Sequence, residues 1–256
     1  EKQQPGEFER AAEALPRLNR MLRPGCGTDP FILTDSTFGM EGIHPRLVCN
    51  PLEGQLDPGR MMQALLRKAD SPGTTILNGV KVRAFDDRGG TVRVSTSEFE
   101  FTCGKLLLAT NGFAGPQTGL DVSPARAQVL VTEAIPGHGI SGSFHLEAGY
   151  YYFRNIGDRI LLGGGRNLDK SGETTTEFAL TPLIQQRLEG LLREVILPGR
   201  TVRVAHRWSG IMGTGARKQP LLKQLSANVS CGVRLGGMGV AIGSHTGTGL
   251  ASLALD

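Results

Sequence analysis

The sequence predicts an α/β fold in which an antiparallel β module is inserted into a domain of mixed strands and helices. Residues 105–110 form a short apolar run that ends in Thr-Asn-Gly, which is typical of a strand in a parallel sheet. From about residue 123 the chain changes to short strands joined by turn residues, which is typical of an antiparallel sheet. Residues 226–256 again predict a strand, here followed by glycines and a helix. Because the first pattern resumes after the second, we expect an insertion rather than two domains in series.

The composition indicates a folded chain and excludes several classes of partner. Of the 256 residues, 39% are hydrophobic and 20% are charged, which is typical of a packed domain. The net charge is 28 − 24 = +4, and the basic residues are scattered. We therefore expect no nucleic-acid partner and no membrane-surface partner. No apolar run reaches the ~18 residues of a membrane span.

The cysteine spacing argues against disulfides and against a metal site. Cys26, Cys49, Cys103 and Cys231 lie far apart, and no C-x-x-C pair occurs. Structural zinc sites are typically built from such pairs, so we predict no metal. Because disulfides are rare in reducing compartments, we expect reduced thiols in a cytoplasmic protein.

Two helices are expected in the first part of the chain. Apolar residues recur at helical spacing over residues 8–22, and residues 23–56 predict irregular structure rich in Pro and Gly. A second helix starts at Pro58, with Asp57 as its cap. Its apolar face consists of Met61, Met62, Leu65, Leu66 and Ala69.

The next segments predict strands. Residues 80–97 predict a β-hairpin around the turn sequence DDRGG. The run at 105–110 predicts a strand buried on both faces. Further strands are expected at residues 127–135, 149–155, 159–165, 201–208 and 228–235.

Two helices are expected in the second half of the chain. One starts at Pro182 with Thr181 as its cap, and apolar residues recur in it up to Val195. The other closes the chain at residues 245–255.

The segment RLGGMGVAIGSHTGTGLASL, residues 234–253, contains six glycines between positions 236 and 249. It follows a predicted strand and leads into a predicted helix. Unpaired N–H groups at a helix start, without side chains in front of them, can accept an anionic or electron-rich group. A reduced flavin is one such group. The alternative is that the glycines only allow the helix to pack tightly on the sheet.

No complete nucleotide-binding fingerprint is present. The three candidate G-x-G-x-x-G segments fail at Leu168, Ile242 and Ser252, where the last glycine is required. No Walker A sequence, catalytic-serine elbow or H-E-x-x-H occurs. We therefore expect no complete pyrophosphate-binding turn within this chain.

Four motifs, in this order, resemble those of the D-amino-acid-oxidase-like family of FAD-dependent oxidoreductases, which includes glycine oxidase and sarcosine oxidase. They are LLLATNGFA (106–114), PARAQVLVTEAI (124–135), YYYFRNIGDRILLGGGRN (150–167) and RWSGIMGTGARKQPLL…RLGGMGVAIGSHTGTGLASL (207–253). The resemblance implies an FAD-binding Rossmann-like domain with an inserted antiparallel substrate domain. It also implies oxidation of a C–N bond of an amine or amino acid, with hydride transfer to flavin N5.

The resemblance implies a role for each of several residues. Val82 matches the family valine whose main chain meets the adenine. The expected cofactor-binding residues are Val82, Thr110, Asn111, Gly112, Gly236, Gly237, Met238 and Gly239. The domain boundaries that follow are 1–122 and 226–256 for FAD binding and 123–225 for substrate binding. With no cysteine in the flavin-proximal motifs, we expect FAD to be bound non-covalently.

Tyr152, Arg154 and Lys218 are the expected catalytic residues. Tyr152 and Arg154 share one face of a strand, so the ring can bound a pocket and the guanidinium can bind an anionic substrate group. The alternative is aromatic packing beside a surface arginine. Glycine-oxidase-like members carry a carboxylate-binding arginine after W-x-G, and WSGIMG places Met212 there. An α-amino acid substrate then requires another cation, from Arg154, Arg166 or Lys218.

The family's N-terminal βαβ unit has no counterpart in this sequence. We therefore expect an incomplete FAD-binding domain, and we interpret the sequence as an internal fragment of a longer protein. The expected partner is a small amine or amino acid, with the missing segment supplied by the same chain or a partner chain. Alternative functions are a silent binding module without cofactor and one half of a split flavoenzyme.

Overall fold

The computed structural model describes residues 6–71 and 73–255. The chain forms two compact units, which we call unit 1 and unit 2. Unit 1 consists of the described residues of Glu1–Gln55, Ala127–Lys170 and Ala179–Ser209, and unit 2 of those of Leu56–Arg126, Ser171–Phe178 and Gly210–Asp256. This division does not test which segments bind cofactor or substrate, so the boundaries at 122/123 and 225/226 stay predictions.

The described residues form helices and strands in a mixed α/β arrangement. The helices are α1 (Glu7–Cys26), α2 (Pro58–Asp70), α3 (Ala114–Thr118), α4 (Pro182–Leu191) and α5 (Gly239–Leu255). The first six strands are β1 (Ile32–Thr34), β2 (Leu47–Cys49), β3 (Val82–Asp87), β4 (Val92–Thr96), β5 (Glu100–Cys103) and β6 (Leu106–Leu108). The others are β7 (Ser123–Thr132), β8 (Ser143–Leu146), β9 (Tyr151–Ile156), β10 (Arg159–Gly164), β11 (Val204–Thr214), β12 (Leu221–Gln224) and β13 (Val229–Val233).

A five-stranded sheet with the order β11-β7-β10-β9-β8 confirms the antiparallel module that the sequence predicts. The pairs β7/β10, β10/β9 and β9/β8 are all antiparallel. The hairpin between β9 and β10 turns at Gly157, whose φ of +56° is readily adopted by glycine. Strand β7 begins four residues earlier than expected, at Ser123.

The core of unit 1 lies between this sheet and α4. Tyr151 and Phe153 alternate inward along β9 and are buried against Ile184 and Leu188 of α4. The predicted helix start is confirmed, with Pro182 as the first helical residue. A π-helical turn, Leu192–Ile196, continues α4, which explains why its apolar pattern extends beyond Leu191.

The N-terminal part of unit 1 differs in detail from the prediction. Helix α1 extends beyond the expected residue 22 and ends where Gly27 adopts φ +74°. Strands β1 and β2 pair antiparallel in a segment expected to be irregular. Each has only three residues, which is too short for a recognisable alternation of polar and apolar side chains.

Helix α2 starts as predicted, but its apolar face is not buried. The carboxylate of Asp57 accepts a hydrogen bond from the N–H of Arg60 at 3.1 Å, which is a typical N-cap. Met62, Leu65 and Leu66 remain 49%, 50% and 48% exposed. The helical spacing therefore identified the helix, but the described residues cover that face only in part.

Unit 2 contains two three-stranded sheets. The predicted hairpin is confirmed as β3/β4, and β5 adds a third antiparallel strand. In the other sheet, β13 pairs antiparallel with β12 and parallel with β6. The expected parallel pairing is thus confirmed. The expected burial of β6 on both faces is wrong, because β6 is an edge strand and Leu107 is 40% exposed.

The closing helix starts earlier than predicted. Helix α5 begins at Gly239 rather than at residue 245, because the carbonyl of Met238 accepts from the N–H groups of Ala241 and Ile242. Only Gly236 and Gly237 therefore lie in the turn before the helix. The helix packs on β13, where a Cβ on Gly232 would meet the Leu250 side chain at 3.2 Å.

The described residues show neither a membrane-spanning helix nor a metal cluster. No helix among them has the length and hydropathy to cross a bilayer. No group of three or more His, Cys, Asp or Glu side chains in this part of the chain is placed to hold a metal ion. All four cysteines are free, and Cys231 is buried.

Candidate functional site

The turn after β6 depends on a close contact with the end of β11. Asn111 adopts a left-handed conformation with φ +45°, and the next residue, Gly112, is buried. A Cβ on Gly112 would lie 2.6 Å from the main-chain oxygen of Met212. Because the obstacle is main chain rather than a flexible side chain, only glycine fits at this position. Thr110, which precedes the turn, is exposed.

Two hydrogen bonds connect this region to the chain that follows β13. Asn111 Oδ1 accepts from the N–H of Leu235 at 3.1 Å. The carbonyl of Gly213 accepts from the N–H of Gly236 at 2.9 Å. Gly213 also leaves room for the asparagine, since a Cβ there would lie 2.6 Å from Asn111 Oδ1. The turn, the end of β11 and the start of the glycine-rich segment therefore form one hydrogen-bonded cluster in unit 2.

Arg234, directly after β13, is a buried residue in a left-handed conformation with φ +64°. This conformation is unfavourable for a residue with a Cβ. The guanidinium donates to the main-chain oxygen of Asp121 at 3.2 Å, to its carboxylate at 2.8 Å and to the carbonyl of Gln219 at 3.0 Å. These bonds offset the backbone strain and fix the direction in which the chain leaves β13.

Gly236 and Gly237 continue the left-handed backbone, with φ +59° and +84°. Both are exposed, as is Met238. A Cβ on Gly236 would meet nothing within 4 Å, and one on Gly237 would lie 3.3 Å from the sulfur of Met212. The main chain of this turn is therefore open to a ligand on one side and packed on Met212 on the other.

Some N–H groups beside the start of α5 are unpaired. Within the described residues, the N–H groups of Gly237 and Gly239 donate no hydrogen bond. The first N–H groups of a helix also carry the partial positive charge of its dipole. The turn can therefore stabilise negative charge on a group that lies against it.

Val82 lies at the first position of β3, and its carbonyl accepts from the side-chain amide of Gln117 at 3.3 Å. Gln117 belongs to α3, which follows the Asn111 turn. The Gln117 oxygen is buried and has no partner among the described residues. Because a carbonyl has two lone pairs, Val82 can accept a second hydrogen bond.

Tyr152 and Arg154 lie in unit 1, on β9. As predicted they share one face of the strand, opposite to the buried Tyr151 and Phe153. The Tyr152 ring packs over Gly163 of β10, where a Cβ would lie 2.6 Å from the phenolic oxygen. Burial raises the pKa of the Tyr152 phenol above its ordinary value of 10.0, so that it is neutral at pH 7. Arg154 is half-buried.

Lys218 is exposed on the loop between β11 and β12 in unit 2. Hydrogen bonds to Asp121 and Arg234 hold the loop on both sides of Lys218. Before it, the N–H of Ala216 donates to the Asp121 carboxylate at 3.1 Å, and after it the carbonyl of Gln219 accepts from Arg234. The position of Lys218 is therefore set by the same arginine that turns the chain after β13.

The structure brings Asn111, Gly112, Gly236 and Gly237 into one cluster. Their role in cofactor binding stays a prediction. Two members of this cluster, Gly213 and Arg234, were not predicted from the sequence. Gly213 lies in the quoted motif, but its closeness to Asn111 has no local signal. Arg234 was not singled out because its partners lie 15 and 113 positions away in the sequence.

The sequence over residues 10–253 matches the model of a family described as FAD dependent oxidoreductase, DAO. The match extends over nearly the whole chain. This chain belongs to the DAO family. The family resemblance inferred from the four motifs is therefore confirmed.

Individual relatives are similar over different shares of their length. The probable oxidoreductase OrdL of Rhizobium meliloti (strain 1021) is 26% identical over 210 residues, which are 79% of this chain and 47% of that protein. The chain thus spans about half the length of this curated relative. Iminodiacetate oxidase from Chelativorans sp. BNC1 superimposes with a TM-score of 0.76 at 18% identity, over 97% of this chain and 70% of that one. Glycine oxidase from Geobacillus kaustophilus superimposes with a TM-score of 0.73 at 16% identity, over 96% of this chain and 77% of that one. At such identities the structures show a shared fold, and the predicted α/β fold class is confirmed.

The cluster in unit 2 fits the FAD that DAO enzymes bind. Gly236 and Gly237 leave the main chain uncovered, as close approach of a planar ring requires. The N–H groups of Gly237 and Gly239 provide donors next to the helix start. The Val82 carbonyl accepts a hydrogen bond from Gln117, which follows the Asn111 turn on α3.

Proposed function

We propose that this protein is an FAD-dependent oxidoreductase that oxidises a C–N bond of an amine or amino acid and binds FAD non-covalently. The proposal depends on the exposed left-handed main chain at Gly236 and Gly237, next to unpaired N–H groups at the start of α5. Membership of the DAO family supports it. The cofactor residues proposed are Val82, Thr110, Asn111, Gly112, Gly236, Gly237, Met238 and Gly239.

Bound FAD would supply the two-electron oxidant and would accept a hydride at N5 from the carbon next to nitrogen; the amine would become an iminium ion, which releases a proton to solvent to give the imine. The role of the chain is electrostatic. We assign the N–H groups of Gly237 and Gly239 to the pyrimidine edge of the ring, where negative charge develops on reduction. Fixed donors and the positive end of α5 stabilise that charge at little reorganisation cost.

The substrate is proposed to be a small amine or amino acid. The relatives named as a glycine oxidase and an iminodiacetate oxidase support this class. Met212 stands where a carboxylate-binding arginine is expected, and its sulfur packs beside Gly237 instead. We propose that Arg154 binds the anionic group of the substrate, with the neutral Tyr152 on the same face of β9. Lys218 of unit 2 is the other catalytic residue that we propose.

Absorbance and thermal unfolding of the full-length gene product test this function. We expect flavin absorbance in the purified protein or after FAD is added, and anaerobic bleaching by an amine or amino acid from a panel that includes glycine and iminodiacetate. Because FAD would bind the folded chain, saturation at about a hundred times Kd should stabilise it by about 2.7 kcal/mol and raise Tm. Absence of both flavin absorbance and a Tm shift would support a cofactor-free binding module instead. Co-purification of a short nucleotide-binding chain would support a split flavoenzyme.

The substitution Gly237→Val tests the cofactor segment. Valine is strained at φ +84°, and its Cβ would lie 3.3 Å from the sulfur of Met212, so the turn must shift and we expect flavin binding to be lost. Gly89→Val is the matched control, because Gly89 has φ +82°, is exposed and would place its Cβ in open space. Equal flavin content in both variants, measured by absorbance per folded protein, would refute the assignment of this segment.

A further inference from the structure

The side chain of Asn111 reaches a main-chain group 124 positions further along the sequence. The donor is the N–H of Leu235, at 3.1 Å. Because a main-chain N–H can only donate, the atom that faces it is the side-chain oxygen. Leu235 lies between the left-handed residues Arg234 and Gly236.

The segment after β13 is held at successive peptide groups. The N–H of Leu235 is bound by Asn111, and the N–H of Gly236 by the carbonyl of Gly213. The N–H of Gly237 is the next along the chain, and it has no acceptor among the described residues. The N–H of Gly237 is separated from the fixed N–H of Gly236 only by the φ and ψ of Gly236, so the fixed peptide groups determine where this free donor starts.

The backbone of Asn111 alone does not require asparagine. Its φ of +45° would be adopted by glycine at lower cost. Asparagine adds a side-chain oxygen, and the absence of a side chain on Gly213 leaves room for that oxygen. The feature specific to asparagine at this position is therefore its contact with Leu235.

We propose that Asn111 is a positioning residue for the cofactor, acting through Leu235. Its oxygen holds the Leu235 N–H and thereby orients the free N–H of Gly237 toward the ring edge. This inference rests on the proposed function, since it requires FAD at Gly237. It replaces the direct cofactor contact that the family resemblance implies for Asn111 with an indirect one.

Two variants distinguish the effect of the Asn111 backbone conformation from the effect of its side-chain oxygen. Asn111→Gly keeps the left-handed backbone and removes the acceptor, whereas Asn111→Asp keeps an acceptor. Hydrogen exchange at the Leu235 amide, measured without FAD on the full-length gene product, reports the contact itself. We expect exchange about tenfold faster in Asn111→Gly and FAD affinity about tenfold weaker, with both restored toward wild type in Asn111→Asp. Asn155→Ala is the control, because Asn155 Oδ1 also accepts from a main-chain N–H, that of Gly142 at 3.1 Å.

Each outcome decides a separate point. Unchanged exchange at Leu235 in Asn111→Gly would overturn the inference, and so would faster exchange with unchanged FAD affinity. Weaker FAD binding in Asn155→Ala of the same size would show a general loss of stability and would also overturn it. Failure of the wild-type protein to bind FAD would overturn the proposed function first and this inference with it.

Discussion

Arg234 adopts a backbone conformation that glycine adopts at lower cost, and its side chain explains why the arginine is stable there. Three hydrogen bonds from its guanidinium to Asp121 and Gln219 offset the strain. Asn111 shows the same principle, with one bond to Leu235. The open turn at Gly236 and Gly237 is therefore held by the side chains of two other residues, Arg234 and Asn111, whose own backbones are strained.

The substitution Arg154→Ala tests the proposed substrate contact. Loss of a charge-assisted hydrogen bond to an anionic substrate group should raise KM by about 10- to 100-fold. FAD affinity should remain unchanged, since Arg154 is not among the proposed cofactor residues. Steady-state kinetics and an FAD titration check this, with Arg193→Ala as a control because that exposed arginine pairs with Glu189 on its own helix. An unaltered KM in Arg154→Ala would contradict the role.

At the scale of elements, polar side chains connect the two sheets of unit 2. Asp87, at the end of β3, accepts hydrogen bonds from the Ser226 hydroxyl and from the main chain and side chain of Asn228. Ser226 and Asn228 lie in the turn between β12 and β13. These bonds, that of Ser226 first, hold the pKa of Asp87 well below its ordinary value of 3.8.

Thermal unfolding should therefore depend on the ionisation of Asp87. The pKa is lower in the folded than in the unfolded chain, so the stabilisation is complete above about pH 5. It is lost progressively as the pH falls below the ordinary value of 3.8 toward the lowered pKa of the folded state. We expect Asp87→Asn to lower Tm at pH 7 and the difference from wild type to shrink over that range. The neighbouring Asp86→Asn, which affects an exposed pair with Arg88, is the control. A difference between Asp87→Asn and wild type that does not change with pH would count against this linkage.

At the scale of the whole molecule, each unit has its own hydrophobic core. In unit 1 the core forms around Tyr151, Phe153 and the apolar side of α4. In unit 2 it forms around Val94, Val229 and Cys231. Cys231 is fully buried there, and burial raises the pKa of its thiol, which lowers its reactivity further.

Thiol labelling should therefore report on the core of unit 2. With a small alkylating reagent and mass spectrometry, we expect Cys26 to react first and Cys231 only on unfolding or opening of the unit. Val94→Ala leaves a cavity in the same core and should accelerate labelling of Cys231 without changing that of the exposed Cys26. Labelling of Cys231 as fast as Cys26 in the native wild-type protein would contradict the burial.

The α/β class, the antiparallel module and the helix start at Asp57 could be predicted before the structure, because they depend on the local spacing of residue types, and the family could be inferred from its motifs. The candidate site was anticipated only in part. Gly236 and Gly237 were singled out because glycines between a predicted strand and a predicted helix are a local signal, whereas Gly112 was assigned through the family resemblance. Their role in cofactor binding stays a prediction. The roles of Arg234 and Gly213, the link from Asn111 to Leu235 and the exposed face of α2 were decided by the tertiary structure alone. They depend on which segments meet in space across up to 124 positions of sequence, and local patterns carry no information about such contacts.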